Sequence, residues 1–182
     1  KREIIAILSA FSAELRPQVP ALLQAYDFLG EMDFIRAKAE LAVRIDALKP
    51  SLVDRPMIDW GAACHPLLEL SLRKHGRKMS PLDIELDGER RILLISGPNA
   101  GGKSVCLKTA GLLQYMLQCG LLIPVHERSR AGLFKSLFID IGDQQSIEDD
   151  LSTYSSHLLN MKHTLRNCDR KSLILIDEFG GG

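Results

Sequence analysis

No charge of either sign prevails in this 182-residue chain, in which 23 Lys and Arg are matched by 23 Asp and Glu. That balance removes any bulk electrostatic attraction to nucleic acid or to an anionic membrane, so such contacts must be local or made by other regions. Cysteine is scarce and scattered: Cys64, Cys106, Cys119 and Cys168 form no C-x-x-C pair. This argues against a zinc site or a disulfide framework, fits a reducing cytosol, and marks the four as small core residues. His65, His75, His126, His157 and His163 lack metal-ligand spacing as well. Long apolar runs are missing. The stretch from Gly111 to Val125 is broken by Gln114 and Gln118 and is shorter than the roughly 20 residues of a membrane span. Ile4, Ile5, Ile7 and Leu8 after Lys1-Arg2 mimic a signal peptide only as far as Ser9. Neither a membrane nor export is expected, and the expected compartment is the cytoplasm.

What is present fits a folded chain, 46% apolar and 25% charged, of one domain or one domain with an appendage, since domains run at roughly 100–200 residues. In the first fifty residues the apolar side chains recur at three and four: Ile4, Leu8, Phe11, Leu15, then Leu22, Tyr26, Leu29, and later Ile35, Leu41, Ile45, Leu48. That period predicts helix. Pro17 and Pro20 divide it into a short helix and a long one starting near Pro20, with Gly30 a tolerated weak point. Lys49-Pro50-Ser51 ends it, which sets a boundary between a helical segment, 1–50, and a second domain, 51–182. An irregular stretch punctuated by Pro50, Pro56, Pro66 and Pro81 follows.

The remainder alternates short strands with helices, the pattern of an α/β domain with a largely parallel sheet. Leu82 to Leu86 and Arg91 to Ser96 read as strands about the turn Asp87-Gly88. Ser104 to Cys119 reads as a helix ended by Gly120, with Leu112, Leu113, Met116 and Leu117 in the core. Leu122 to Val125, Leu133 to Ile141 and Leu173 to Ile176 read as strands, and Ser155 to Arg166 as a helix.

After the apolar run Ile92-Leu93-Leu94-Ile95 comes Gly97-Pro98-Asn99-Ala100-Gly101-Gly102-Lys103-Ser104, a full match to G-x-x-x-x-G-K-S/T. Its glycines let the backbone curl so that successive N–H groups face phosphate oxygens, and the following helix, starting with Ser104-Val105, adds its positive end. Lys103 would reach the β- and γ-phosphates and the Ser104 hydroxyl would ligate Mg²⁺. By chance alone the pattern arises in a chain this long about once in a hundred. A second element, Leu173-Ile174-Leu175-Ile176-Asp177-Glu178, is an apolar strand ending in two acids, where ligands bind in open α/β sheets. Asp177 would hold Mg²⁺ and Glu178 would orient and deprotonate the attacking water, so ATP hydrolysis is the expected chemistry. No guanine-reading N-K-x-D motif occurs, and no acceptor site for a kinase is evident.

At this point a family resemblance becomes specific. The phosphate loop, His65-Pro66-Leu67-Leu68 upstream of it, and Asp177-Glu178-Phe179-Gly180 downstream resemble the MutS family of ABC-type ATPases. Ile139-Asp140-Ile141-Gly142-Asp143 and Asp150-Leu151-Ser152-Thr153-Tyr154 resemble its two intermediate motifs. The wording of Asp143-Gln144-Gln145-Ser146-Ile147 and Ser152-Thr153-Tyr154-Ser155-Ser156-His157 is closest to the bacterial branch that suppresses recombination, and Tyr26 to Lys38 resembles the end of that branch's lever region.

The resemblance implies an ABC-type phosphate-loop ATPase sheet preceded by a long-helix lever, using ATP and Mg²⁺ in a homodimer formed through the ATPase domain. DNA would be held mainly by regions outside this chain. It implies that Asn99 lies by the γ-phosphate and that Ser152 touches the γ-phosphate held by the other subunit. A cap at Ser152 or Thr153 is a compatible role. Gly181 and Gly182 stand where the family has a hydroxyl residue between glycines. The family's later ATPase segments and a C-terminal nuclease domain are not in the chain, which reads as a fragment. Two alternatives stay open: another ABC-type DNA-maintenance ATPase, and a nucleotide-holding dimerisation module without turnover. Arg73, Lys74, Arg77 and Lys78 read as a solvated basic loop, and the acids Asp140, Asp143, Glu148, Asp149 and Asp150 as a surface that repels DNA.

Overall fold

The computed structural model describes residues 1–97, 102–141 and 150–177, with the side chains of 150–157 excepted. The apolar repeat at the start forms helix α1, Arg2–Leu15, one 3-10 turn, Arg16–Gln18, and helix α2, Val19–Arg44. Pro17 opens the 3-10 turn and Pro20 lies in the first turn of α2, positions where a missing N–H has no helical partner to lose. Arg16 and Val19 keep right-handed helical dihedrals, so the prolines tighten the backbone for one turn. Lys1–Leu41 forms a compact unit of its own, and none of its residues is buried.

The second unit, Ala42–Gly182, holds the core. Ala42 and Ile45 at the end of α2 are buried in this unit, and Asp46 turns the chain with a positive φ of 50°. The stretch 51–81, expected to be irregular, contains strand β1, Ser51–Val53, strand β2, Ile58–Ala63, and helix α3, Pro66–Lys74. Strand β3, Leu82–Leu86, follows as expected; helix α4 is Lys103–Gln118, strand β4 Arg130–Gly132, strand β5 Ser136–Asp140, helix α5 Asp150–Asn167 and strand β6 Ser172–Ile176. Gly120, with φ 73°, ends α4 in the left-handed conformation that a helix stop favours.

The expectation of a largely parallel sheet is corrected. The larger sheet is mixed, in the order β1-β4-β2-β3, with β1 parallel to β4 but β2 antiparallel to both β4 and β3. Strands β5 and β6 pair in parallel as a second sheet. Alternation along β2 sends Ile58 and Trp60 into the core, while Asp59 on the other face pairs with Arg130 at 2.8 Å. Two expected strands are absent. Residues 91–96 pair with no described strand, and Ile92 and Leu94 stay 90% and 84% exposed. The turn before them is held by Asp87, whose Oδ1 accepts from the N–H groups of Glu89 and Arg90, and an apolar run becomes a strand only where a neighbour takes its hydrogen bonds. Residues 122–125 make a single antiparallel bridge, Ile123 with Leu48.

Smaller corrections follow from where the chain turns. None of the cysteines is buried: Cys64, Cys106 and Cys168 are half-buried, and Cys119, at the C-cap of α4, is exposed. Arg73 and Lys74 form the last turn of α3 rather than a loop, with Arg73 ion-paired to both Asp46 and Glu69. Leu113, Met116 and Leu117 are buried as expected, with Leu112 packed at the core's edge.

One glycine is required by space. A Cβ on Gly132 would lie 1.7 Å from the Arg55 carbonyl oxygen, where the Gly132 N–H also donates to Met57 O at 2.8 Å. Gly132→Ala is therefore expected to force β4 away from the 55–57 backbone and to cost about 3 kcal/mol. A urea midpoint equal to that of the wild type would refute this packing.

Candidate active site

Strands β5 and β6 run in register from Ser136 opposite Ser172 to Asp140 opposite Ile176. Side chains alternate across a sheet, so Leu137, Ile139, Leu173 and Leu175 share one face and Phe138, Asp140, Ile174 and Ile176 the other. Helix α4 covers the first. A Cβ on Gly111 would lie 2.8 Å from Leu175 Cδ1 and 3.6 Å from Ile139 Cδ1, so glycine permits this close approach. Farther along α4, Gln118 Oε1 accepts from the N–H of Phe134, which precedes β5, at 2.9 Å. The helix therefore runs antiparallel to the strands, with Lys103 and Ser104 toward their carboxyl ends. From Gly111 back to Ser104 is about 10 Å of helix, and from Leu175 on to Asp177 is about 7 Å of strand.

Helix α5 covers the second face in the same sense. The Phe138 and His163 rings meet edge-on at 6.2 Å, and nearer the strand end Asn160 Nδ2 donates to Asp140 Oδ1 at 3.2 Å. The Asp177 N–H donates to Asp140 O at 2.9 Å. Two helix N-termini and two strand-end acids thus gather at one edge, where α/β sheets bind ligands.

At the head of α4 the backbone suits an anion. Gly97 and Gly102 have φ of 151° and 82°, conformations that favour glycine. Gly102 is the N-cap and has no side chain to cap the first turn of α4. Lys103 Nζ donates to Gly97 O at 2.7 Å, which lays its ammonium across the base of the loop. Ser104 is exposed and Val105 half-buried. These features fit a phosphate chain with a divalent cation: a helix N-terminus without a side-chain N-cap, an ammonium, a hydroxyl, and a strand-end carboxylate at Asp177.

The His65-Pro66-Leu67-Leu68 segment starts α3. His65 is its N-cap, with Nδ1 accepting from the Leu68 N–H at 3.4 Å, and Pro66 takes the first helical position. Burial pushes the His65 imidazole below its ordinary pKa, and the positive charge of Lys108 on α4 adds to that.

Of the expected site residues, Gly97, Gly102, Lys103, Ser104 and Val105 lie at the head of α4, where Lys103 bonds Gly97, and Asp177 follows the end of β6, bonded to Asp140. Pro98, Asn99, Ala100, Gly101 and Glu178 lie outside the described residues, as do Gly142, Asp143 and the segment through Asp149. Helix α5 starts at Asp150, ahead of the expected Ser155, which puts Ser152 inside its first turn. Asn160 was not expected at the site. Its one signal is a position eight residues, about two turns, after Ser152. Gln114, expected only as an interruption of an apolar run, is fully buried, with Nε2 donating to Gly132 O at 3.0 Å. No group of three potential metal ligands occurs among the described residues, and no described helix is long and apolar enough to cross a membrane.

Comparison with known proteins agrees with the motifs. Residues 93–182 match the family model described as MutS domain V. Over its whole length the chain is 45% identical to a protein named "Endonuclease MutS2" from Geobacillus sp. (strain WCH70), covering 22% of it. It is 44% identical to the protein of that name from Carboxydothermus hydrogenoformans, covering 23%, and 43% identical to that from Lactobacillus helveticus, covering 22%. The chain thus spans under a quarter of the length of these relatives.

Proposed function

The chain belongs to the MutS family, and from that premise we propose that residues 51–182 contribute to a site that binds ATP with Mg²⁺ and hydrolyses it. The observation that supports this reading is the packing of α4 on the β5–β6 sheet through Gly111 against Leu175, antiparallel to the strands, which directs the helix head with Lys103 and Ser104 toward the strand end that Asp177 follows. Gly97 to Val105 wrap the phosphates, Lys103 neutralises the β- and γ-oxygens, and Asn99 lies by the γ-phosphate. Ser104 and Asp177 hold the cation, and Glu178 takes the proton of the attacking water. When bound, Mg²⁺ supplies charge neutralisation of the phosphate oxygens. The chain's own task is to orient the phosphate chain and to aim one water.

In this reading two copies form a homodimer through the ATPase domain, with Ser152 of each facing the γ-phosphate held by the other. A hydroxyl with free N–H groups in a first helical turn is a suitable anion contact. The helices of residues 1–50 act as a lever through which nucleotide state governs DNA clamping, in DNA repair or suppression of recombination in the cytoplasm. DNA is held mainly by regions outside these 182 residues, where any nuclease chemistry also belongs.

ATP titration combined with steady-state phosphate release tests the reading. Saturable MgATP binding with turnover that rises with protein concentration is expected; binding without phosphate release would reduce the site to a nucleotide-holding dimerisation module. Ser152→Arg should leave ATP affinity of an isolated subunit unchanged and reduce dimer-dependent turnover by about tenfold or more. A variant that loses subunit binding yet keeps its dimer would make Ser152 a cap in its own chain.

A further inference from the structure

The geometry points to Asn160 as a positioning residue that ties the helix carrying Ser152 to the strand end carrying Asp177. Asp140 is the connector. Its carboxylate accepts from Asn160 Nδ2 at 3.2 Å, and its backbone carbonyl accepts from the Asp177 N–H at 2.9 Å. Two hydrogen bonds therefore lead from the side of α5 to the backbone of the proposed cation ligand. The contact of His163 with Phe138 anchors the same helix one turn farther down the same sheet face. Asn160 follows Ser152 by eight residues, about 12 Å along one uninterrupted helix. A displacement of the first turn is transmitted along that length as a rigid shift, and Asn160 is where it meets the acid-bearing strands.

This inference rests on the proposed reading, in which Ser152 engages the partner's nucleotide and Asp177 holds the cation. The link then makes engagement of one nucleotide felt at the cation ligand of the other. Capture of ATP by the phosphate loop does not depend on it, because α4 packs on the opposite face of the β5–β6 sheet, through Gly111 against Leu175. Removing the link should spare binding and impair the step that needs both sites aligned.

Asn160→Leu keeps the branched heavy-atom skeleton of the side chain and removes the donor. In the protein carrying it, ATP affinity is expected to stay within about twofold, while kcat falls about fivefold, the ratio one such hydrogen bond commands, and the Mg²⁺ concentration for half-activity rises. Asn160→Asp alone should be worse, since it sets two carboxylates against each other. Combining Asn160→Asp with Asp140→Asn restores a donor and an acceptor in reverse order and should recover most of kcat. Loss of stability alone would reduce the active fraction without moving the Mg²⁺ half-point. Equal kcat and Mg²⁺ half-point in Asn160→Leu and wild type overturn the inference and leave ATP hydrolysis standing. So does a folded exchange variant that recovers nothing. A wild-type protein without MgATP turnover overturns the reading beneath it.

Discussion

Replacing Lys103 by alanine is expected to abolish measurable ATP binding. Its ammonium is the cation that the motif assigns to the β- and γ-phosphates, and it lies across the base of the loop, within 2.7 Å of Gly97 O. Without it, the phosphate charge is left to the backbone donors at the head of α4. Truncating one partner of a hydrogen-bonded charge pair costs about 2–5 kcal/mol, so affinity should fall by roughly a hundredfold or more. Glycine conformations at Gly97 and Gly102 should be unaffected, and the thermal midpoint should hardly move, because the hydrogen bond lost is exposed. Titration with labelled ATP checks this. Undiminished affinity would sink the phosphate-loop assignment, whatever the fate of the rest of the site.

The elements that local chemistry determines were legible in the sequence. Helix α4 could be read from its apolar period and its stop at Gly120, and the break between α1 and α2 from Pro17 and Pro20. Strand β6 was legible as a short apolar run ending in acids. What failed depended on partners remote in the chain. Residues 91–96 carry a stronger strand signal than β1 or β4, yet β1 and β4 are three residues long and exist because Ser51 to Val53 and Arg130 to Gly132 find each other. Strand β2 was hidden by Gly61 and by the irregular register between Trp60 and Ala63. At the site, the phosphate loop and the strand-end acid were local words. The link from Asn160 to Asp140 spans twenty residues and two elements, and neither residue type signals it alone.

Glu178→Gln is expected to separate binding from chemistry. Glu178 follows directly on Asp177 in the sequence, two residues beyond the end of β6. The two acids do different work in the proposed reaction. Asp177 acts by charge on a cation, and Glu178 by accepting a proton from water. An amide of the same size can still accept a hydrogen bond from that water, so the nucleotide and Mg²⁺ should bind as before. An amide is nevertheless a very poor base, and losing a positioned general base slows turnover by about a hundredfold or more. The ATP-bound form should then accumulate, visible as retained nucleotide after rapid desalting. Asp177→Asn should behave otherwise, since it removes the charge that holds the cation, and its turnover should recover in part as Mg²⁺ is raised. Near-normal turnover in Glu178→Gln would move the base to another residue, while a shared Mg²⁺ dependence of the two variants would merge the two carboxylates into one metal-binding role.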